Sequence, residues 1–212
     1  MWTSQRDSIS CTLHLLMMVM LVAGCLLFWP KTVLAFSDSG AQQALEAAMQ
    51  YVNLEYEFEG EPGQGVAYLY GGQDTVTSYL KKIAQGAEPG RQAGIDASGL
   101  VINAYREVYP QLTFVHRGNS QETEVKDATS STLYLWNVEP LTPEELRPGD
   151  LVFFGTEGTG INGVALYAGR QGELMQIVTA SQSQRKVVMT RIRVGGDYWK
   201  RSYVGAGRLI KR

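Results

Sequence analysis

The stretch Ile95-Asp96-Ala97-Ser98-Gly99-Leu100-Val101 decides the fold of this chain, because it has the form of a short turn that enters a helix. Apolar residues recur from this stretch onward at helical spacing, at Leu100, Val101, Ala104, Tyr105 and Val108. Asp96 is a favourable N-cap residue, and Pro110 is a residue that a helix interior does not accept. The sequence therefore predicts a helix that begins after Asp96 and ends before Pro110.

Ala97 occupies the first turn of this predicted helix. The first turn presents free backbone N–H groups and a partial positive charge. A cysteine at this place would have its thiolate stabilised and would be a primed nucleophile. This chain has alanine there, and alanine has no ionisable atom.

Three further blocks of the sequence contribute, with this stretch, to one resemblance. They are Tyr68-Leu69-Tyr70-Gly71-Gly72, residues 146–154 (LRPGDLVFF) and residues 163–169 (GVALYAG). Together and in this order the four blocks resemble the motifs of the NlpC-type cell-wall cysteine peptidases, which are papain-like enzymes that cut the stem peptides of peptidoglycan. The resemblance covers about residues 60 to 210. It implies an α+β, papain-like NlpC-type fold in which an antiparallel β-sheet packs against N-terminal helices.

The resemblance fails at the catalytic positions. The family's nucleophilic cysteine falls on Ala97, its general-base histidine on Gly163, and the polar residue that orients this histidine on Thr179. A thiol–imidazole mechanism needs a nucleophile, a base within hydrogen-bond reach and a group that orients the base. We therefore expect a pseudoenzyme with no catalytic residues. An alanine engineered in place of the cysteine would explain Ala97 but neither of the other two positions.

Tyr68, Asp96 and Ser98 are the residues that we expect to line a ligand-binding cleft. In the family the first tyrosine of the Tyr68 block points into the cleft, although a half-buried core tyrosine is the competing interpretation. Ser98 is also the candidate for a displaced nucleophile, in which case the chain would be an active stem-peptide hydrolase. His116 matches no catalytic position of the family, and a single loop histidine is most often solvated.

The composition excludes several functions. The net charge of −2 gives no basic field for nucleic acid. The two cysteines, Cys11 and Cys25, both lie near the N-terminus, so the rest of the chain can form no disulfide and no thiolate metal site. We expect neither a metal nor a cofactor.

Residues 1–35 have the form of a secretory signal peptide, in which Arg6 precedes an apolar run and Val33-Leu34-Ala35 is a small-residue cleavage site. An uncleaved membrane anchor and lipidation at Cys25 are the alternatives, and contact with a membrane is expected only through this segment. The protein is therefore expected to be exported, to the periplasm or the cell envelope. There it would serve as a binding, scaffold or regulatory module, whose partner is a peptidoglycan stem peptide or an envelope protein.

The remaining chain divides into an N-terminal helix and linker, residues 36–59, and a peptidase-like domain, residues 60–212. A possible capping box at Ser39 begins the helix. The polar or glycine-rich segments 55–65 and 118–132 are predicted to be loops, and 73–94 is an insert that holds one short helix and either covers the cleft, presents a partner surface or decorates the domain. Alternating and apolar runs predict five strands, at residues 151–154, 164–168, 174–179, 187–194 and 203–210.

Overall fold

The computed structural model describes residues 34–35, 38–118, 121–156 and 160–211. The segment from Leu34 onward forms one compact unit. The apolar run that we assign to the leader lies outside the described residues. Among the described helices, none is both long and apolar enough to cross a membrane.

An antiparallel sheet forms the centre of the described unit. Its strands run in the order β1-β11-β7-β8-β9-β10, and β6 pairs with β11 beside this path. These strands are β1 (Leu34–Ala35), β6 (Val138–Leu141), β7 (Leu151–Thr156), β8 (Gly160–Gln171), β9 (Leu174–Ser181), β10 (Lys186–Arg193) and β11 (Tyr203–Lys211). All five strands predicted from the sequence are present, and each bound agrees to within four residues.

The helices of the described unit are α1 (Asp38–Asn53), α2 (Val76–Ala84), α3 (Ala97–Val108), α4 (Ser130–Trp136) and α5 (Asp197–Ser202). Three of the helices, α1, α3 and α4, pack on the sheet at the main apolar core, whereas Trp199 of α5 packs against a second cluster. Helix α1 packs on α3, and α3 packs on β8 and β9. A second, smaller apolar cluster, which includes Phe154, Tyr167 and Met175, belongs to residues of the sheet and its edges. The architecture confirms the predicted α+β class, with an antiparallel sheet packed against N-terminal helices.

Helix α1 contributes to the main core rather than standing apart from it. Ala44 and Ala48 are fully buried and Tyr51 is 2% exposed, all in the cluster that holds the residues of α3. Because the buried residues are mostly alanines, α1 can lie close to its neighbour. The helix begins at Asp38, so Ser39 lies in its first turn and the predicted capping box at Ser39 is wrong.

Two segments predicted to be loops are hairpins. Residues 55–65 contain β2 (Glu55–Phe58) and β3 (Glu61–Gln64), joined by a turn in which Glu59 and Gly60 both have positive φ. This is the backbone of a type I′ hairpin turn. The prediction was wrong because both strands are only four residues long. Residues 55–58 (EYEF) do alternate, but residues 59–65 contain three glycines and a proline, which are typical of a loop.

The segment 118–132 holds β5 (Gln121–Val125), which pairs with β4 (Phe114–Gly118), and the start of α4. Asn137 anchors this hairpin to the body. Its side-chain oxygen accepts a hydrogen bond of 2.7 Å from the N–H of Val115, and its side-chain nitrogen donates one of 2.8 Å to the carbonyl of Val115. A tertiary contact, rather than local hydrophobic pattern, therefore fixes the hairpin.

Strand β1 consists of the two residues that end the predicted leader. Leu34 pairs with Lys211 and Ala35 pairs with Ile210 in β11. A cut after Ala35 would therefore remove these two residues from the sheet.

Candidate functional site

The carboxylate of Asp96 organises the start of α3. Its Oδ1 accepts a hydrogen bond of 2.7 Å from the N–H of Gly99 and one of 2.9 Å from the hydroxyl of Ser98. Its Oδ2 accepts a third bond of 3.1 Å from the N–H of Gly71. The predicted N-cap is confirmed. In addition, the same side chain ties the helix to a block that lies 25 residues earlier in the chain.

The Tyr68 block lies directly against this helix start. The N–H of Leu69 donates to the carbonyl of Ile95 at 3.1 Å, and the N–H of Asp96 donates to the carbonyl of Gly72 at 2.9 Å. A Cβ on Gly99 would lie 2.6 Å from the Gly72 carbonyl oxygen, closer than real Cβ atoms come. The close approach of backbones thus explains Gly72 and Gly99, whereas Gly71 has a φ of +69°, which favours glycine.

Ala97, Gly163 and Thr179, the three degenerate positions, lie on α3, β8 and β9, elements that pack together. Each of the three residues is partly exposed. The hydroxyl of Thr179 donates a hydrogen bond of 2.9 Å to the carbonyl of Val164, next to Gly163. Between them these residues offer a methyl group, a hydrogen and a hydroxyl, so they supply neither a thiolate nor an imidazole.

Ser98, the candidate displaced nucleophile, donates its hydroxyl proton to Asp96. A general base would have to take this proton, but Asp96 already accepts hydrogen bonds from Gly71 and Gly99 with the same carboxylate. The Asp96 carboxylate therefore caps α3 and links it to Gly71. If Asp96 took the proton of Ser98 as a base, its hydrogen bonds from Gly71 and Gly99 would be weakened.

Tyr68 is half-buried and lines a groove of about 910 Å³. Burial, and then the nearby carboxylate of Asp96, raise the pKa of its phenol. The neighbouring Tyr70 is 88% exposed at the same groove. A ligand in this groove can therefore reach Tyr68. Asp96 and Ser98, which we expected to line the same cleft, are not among the residues that line this groove.

The insert 73–94 is held by a side chain that the sequence analysis did not single out. Asp74 is 6% exposed, and its carboxylate binds Lys82, Ser78 and the N–H of Gly94 at 2.7 to 3.0 Å. Thr75 caps α2 in the same segment. A signal was available, because Asp-x-x-x-Ser and the later lysine place their side chains on one helix face.

His116 belongs to β4, and its ring contacts that of Trp136 edge to face, with ring centroids 4.9 Å apart. The histidine therefore packs on Trp136. Its strand, β4, carries none of the positions Ala97, Gly163 and Thr179. Among the described residues, no group of three or more His, Cys, Asp or Glu side chains could hold a metal ion.

The sequence model of the NlpC/P60 family matches residues 65–208 of this chain. Two curated relatives also match. The murein DD-endopeptidase MepH of Escherichia coli (strain K12) is 29% identical over 128 residues, which is 56% of this chain and 38% of the relative. The gamma-DL-glutamyl hydrolase of Bacillus subtilis (strain 168) is 30% identical over 153 residues, which is 71% of this chain and 28% of the relative. The chain thus matches well under half the length of each.

Two solved structures are similar in fold. One is an NLP/P60 family protein from Staphylococcus aureus subsp. aureus Mu50, described as similar to lipoprotein, with 20% identity and a TM-score of 0.47 over 86% of this chain and 45% of that one. The other is an NlpC/P60 family protein from Bacillus cereus ATCC 10987, with 16% identity and a TM-score of 0.49 over 83% of this chain and 41% of that one.

Proposed function

Because this chain belongs to the NlpC/P60 family, we propose that it is a catalytically inactive member, which binds its ligand in the cell envelope and does not cut it. The observation that carries the proposal is the pair Ala97 and Gly163 at the positions of nucleophile and base. Covalent peptide cleavage by this fold needs both groups. The described environment offers no replacement base at Ser98, since the nearest carboxylate already serves as a helix cap.

A peptidoglycan stem peptide is the ligand that we propose first. The name of one relative assigns it to murein and that of the other to gamma-DL-glutamyl bonds. The groove beside Tyr68 remains open in a chain that lacks the catalytic groups. An envelope protein is the second class of partner, and the module would then act as a scaffold or regulator.

The test is incubation of the purified protein with peptidoglycan and with isolated stem peptides. Chemical labelling of free amino groups detects every new peptide end, and sedimentation with the insoluble polymer measures binding. We expect binding, or no interaction if the partner is a protein, and no new amino ends. New amino ends above those made by a heat-denatured control would overturn the proposal.

Active hydrolysis through Ser98 is the competing function. It requires turnover that disappears in the Ser98→Ala variant, whereas the pseudoenzyme has no turnover to lose. The matched control is Ser78→Ala, which removes a hydroxyl that binds Asp74 in the insert. Loss of activity in the first variant alone would establish Ser98 as the nucleophile.

Export to the periplasm or the cell envelope is part of the proposal, on the form of residues 1–35. Mass spectrometry of the intact protein from fractionated cells distinguishes the three forms. A cleaved protein begins at Phe36, a lipidated one carries acyl chains on Cys25, and an anchored one keeps its leader. Recovery in the cytoplasmic fraction with an intact leader would contradict export.

A further inference from the structure

The groove beside Tyr68 has three walls that come from distant parts of the chain. The first wall is the segment from Gln64 to Tyr70, and the second is the insert, at residues 88–91. The turn between β9 and β10, residues 182–185, forms the third together with Lys186 at the start of β10. The insert therefore does not merely decorate the domain, because it completes a concave surface next to the family's tyrosine.

Two cations of this groove have no carboxylate partner in the described residues. Arg185 and Lys186 form neither an ion pair nor a side-chain hydrogen bond there, whereas Arg91 across the groove is paired with Glu88 at 3.1 Å. The chain as a whole carries a net charge of −2. Two adjacent unpaired cations in a concavity of an acidic protein therefore mark a local site for an anion.

Arg185 is held in an unfavourable backbone conformation. Its φ is +58°, in the left-handed region where glycine or asparagine is expected. The carbonyl of Arg185 accepts a hydrogen bond of 2.8 Å from the N–H of Tyr68, so the turn is tied to the first wall. Such a conformation costs of order 1 kcal/mol and is concentrated at functional sites. A glycine would relieve the strain, yet the chain has an arginine.

The second wall is fixed before any ligand binds. Asp74 holds the N–H of Gly94 at the end of the insert and Lys82 in its helix. The rings of Tyr56 in β2 and Tyr79 in α2 pack edge to face, with centroids 5.3 Å apart. Gly90 lies so close to the first wall that a Cβ there would be 3.3 Å from the carbonyl oxygen of Tyr68. A rigid wall lowers the entropy cost of binding.

We propose that this groove binds a short extended peptide through its carboxylates, which ion-pair with Arg185 and Lys186 while the peptide lies on Tyr68 and Tyr70. This inference rests on the proposed function and names where and by what chemistry the ligand is held. The guanidinium of arginine offers two parallel N–H donors to a carboxylate. The side chains of Gln64, Gln182 and Gln184 at the same groove can donate to and accept from peptide groups.

The experiment measures binding of a fluorescently labelled stem tetrapeptide, released from purified peptidoglycan, to the full chain. The same peptide with its carboxylates converted to amides is the ligand control. In Arg185→Gly the strained backbone is relieved while the cation is lost, so this variant is expected to fold at least as well as the parent. Arg185→Lys keeps the charge. A double variant, Arg185→Gly with Lys186→Gln, removes both cations.

We expect the double variant to bind the peptide at least about tenfold more weakly, and Arg185→Lys to stay within about threefold of the parent. Binding should weaken as salt rises, since partly exposed ion pairs are screened. Arg193→Gln, which removes a paired cation that does not line the groove, should change binding little. Equal affinity for the acid and amide peptides, unchanged binding by the double variant, or no binding of the peptide at all would overturn this inference.

These outcomes are separate from the failure of the proposed function. Cleavage of the tetrapeptide would refute the pseudoenzyme whatever the affinity of the Arg185 variants. If the double variant instead binds the peptide as the parent does and cuts nothing, the pseudoenzyme stands and the site lies elsewhere.

Discussion

The hydroxyl of Thr179 donates a hydrogen bond of 2.9 Å to the carbonyl of Val164. Thr179 in β9 is thereby bound to β8, the strand that carries Gly163. Gly163 lies next to this carbonyl. A Cβ placed on it would be 3.4 Å from the Cβ of Phe154, which is the lower limit of ordinary van der Waals contact. The backbone at Gly163 therefore has room for a side chain.

Restoration of the catalytic groups is the first prediction. The triple variant Ala97→Cys, Gly163→His, Thr179→His is expected to hydrolyse stem peptides, because nucleophile, base and orienting group would again lie on α3, β8 and β9. Ala97→Cys alone is expected to remain at least about 10³-fold below the triple variant, since members of such a unit act together. The measurement is release of amino ends from peptidoglycan. Activity of Ala97→Cys alone would instead indicate that only the nucleophile is missing.

Loss of the Asp96 carboxylate is expected to destabilise the fold. Asp96→Ala removes the cap of α3 and the cross-link to Gly71. We expect the free energy of unfolding to fall by about 1–2 kcal/mol for the cap alone. Urea denaturation followed by circular dichroism measures it. Ser98→Ala, which deletes only a hydroxyl bound to the same carboxylate, should stay within about 0.5 kcal/mol of the parent, and an equal loss in both variants would refute the assigned role.

The buried ion pair between Asp150 and Arg208 gives the third prediction. The guanidinium binds both carboxylate oxygens at 2.8 Å, and the Asp150 side chain is fully buried. Asp150→Asn replaces the buried carboxylate that binds Arg208 with a neutral amide, so we expect a loss of about 3–5 kcal/mol. Arg193→Gln breaks the exposed pair with Glu173 and should cost less than about 1 kcal/mol. Similar losses in the two variants, measured by urea denaturation, would contradict this ranking.

Alkaline pH is expected to destabilise the protein through buried tyrosines. Burial raises the pKa of Tyr51 from 10.0 to about 12, and burial beside Asp150 raises that of Tyr105 as well. Above pH 10 the unfolded chain releases these protons while the folded chain keeps them. The stabilisation is therefore complete below about pH 10 and is lost as the pH rises toward 12.

Urea midpoints measured across this range, with phenolate absorbance as a second signal, test the alkaline prediction. Tyr51→Phe should lose less stability with rising pH than the parent does. Its hydroxyl has no hydrogen-bond partner among the described residues, so the substitution should cost little at neutral pH. A midpoint that stays flat up to pH 11 in the parent would contradict the prediction.

The two mispredicted hairpins indicate where local pattern stops being informative. Strand β2 alternates polar and aromatic residues over only four positions, and β5 exposes four of its five residues, so neither stands out from the glycine-rich or polar segment around it. By contrast β7 buries five consecutive residues, from Leu151 to Gly155, and its apolar run predicts a strand from the sequence alone. An apolar pattern in the sequence therefore indicates which side chains are buried. It does not indicate which backbone groups form hydrogen bonds.

The sequence alone determined the helix after Asp96, the five strands and the family resemblance, because each depends on residue types at fixed short spacing. The same resemblance places Ala97, Gly163 and Thr179 at the family's catalytic positions, and the inactivity that this implies stays a prediction. Only the tertiary structure revealed that Asp96 is bound to Gly71, that Asp74 fixes the insert, and that Tyr68, the insert and Arg185 enclose one groove. Each of these contacts joins residues that are far apart in the chain. It can therefore form, and stabilise the protein, only when the intervening segments have folded.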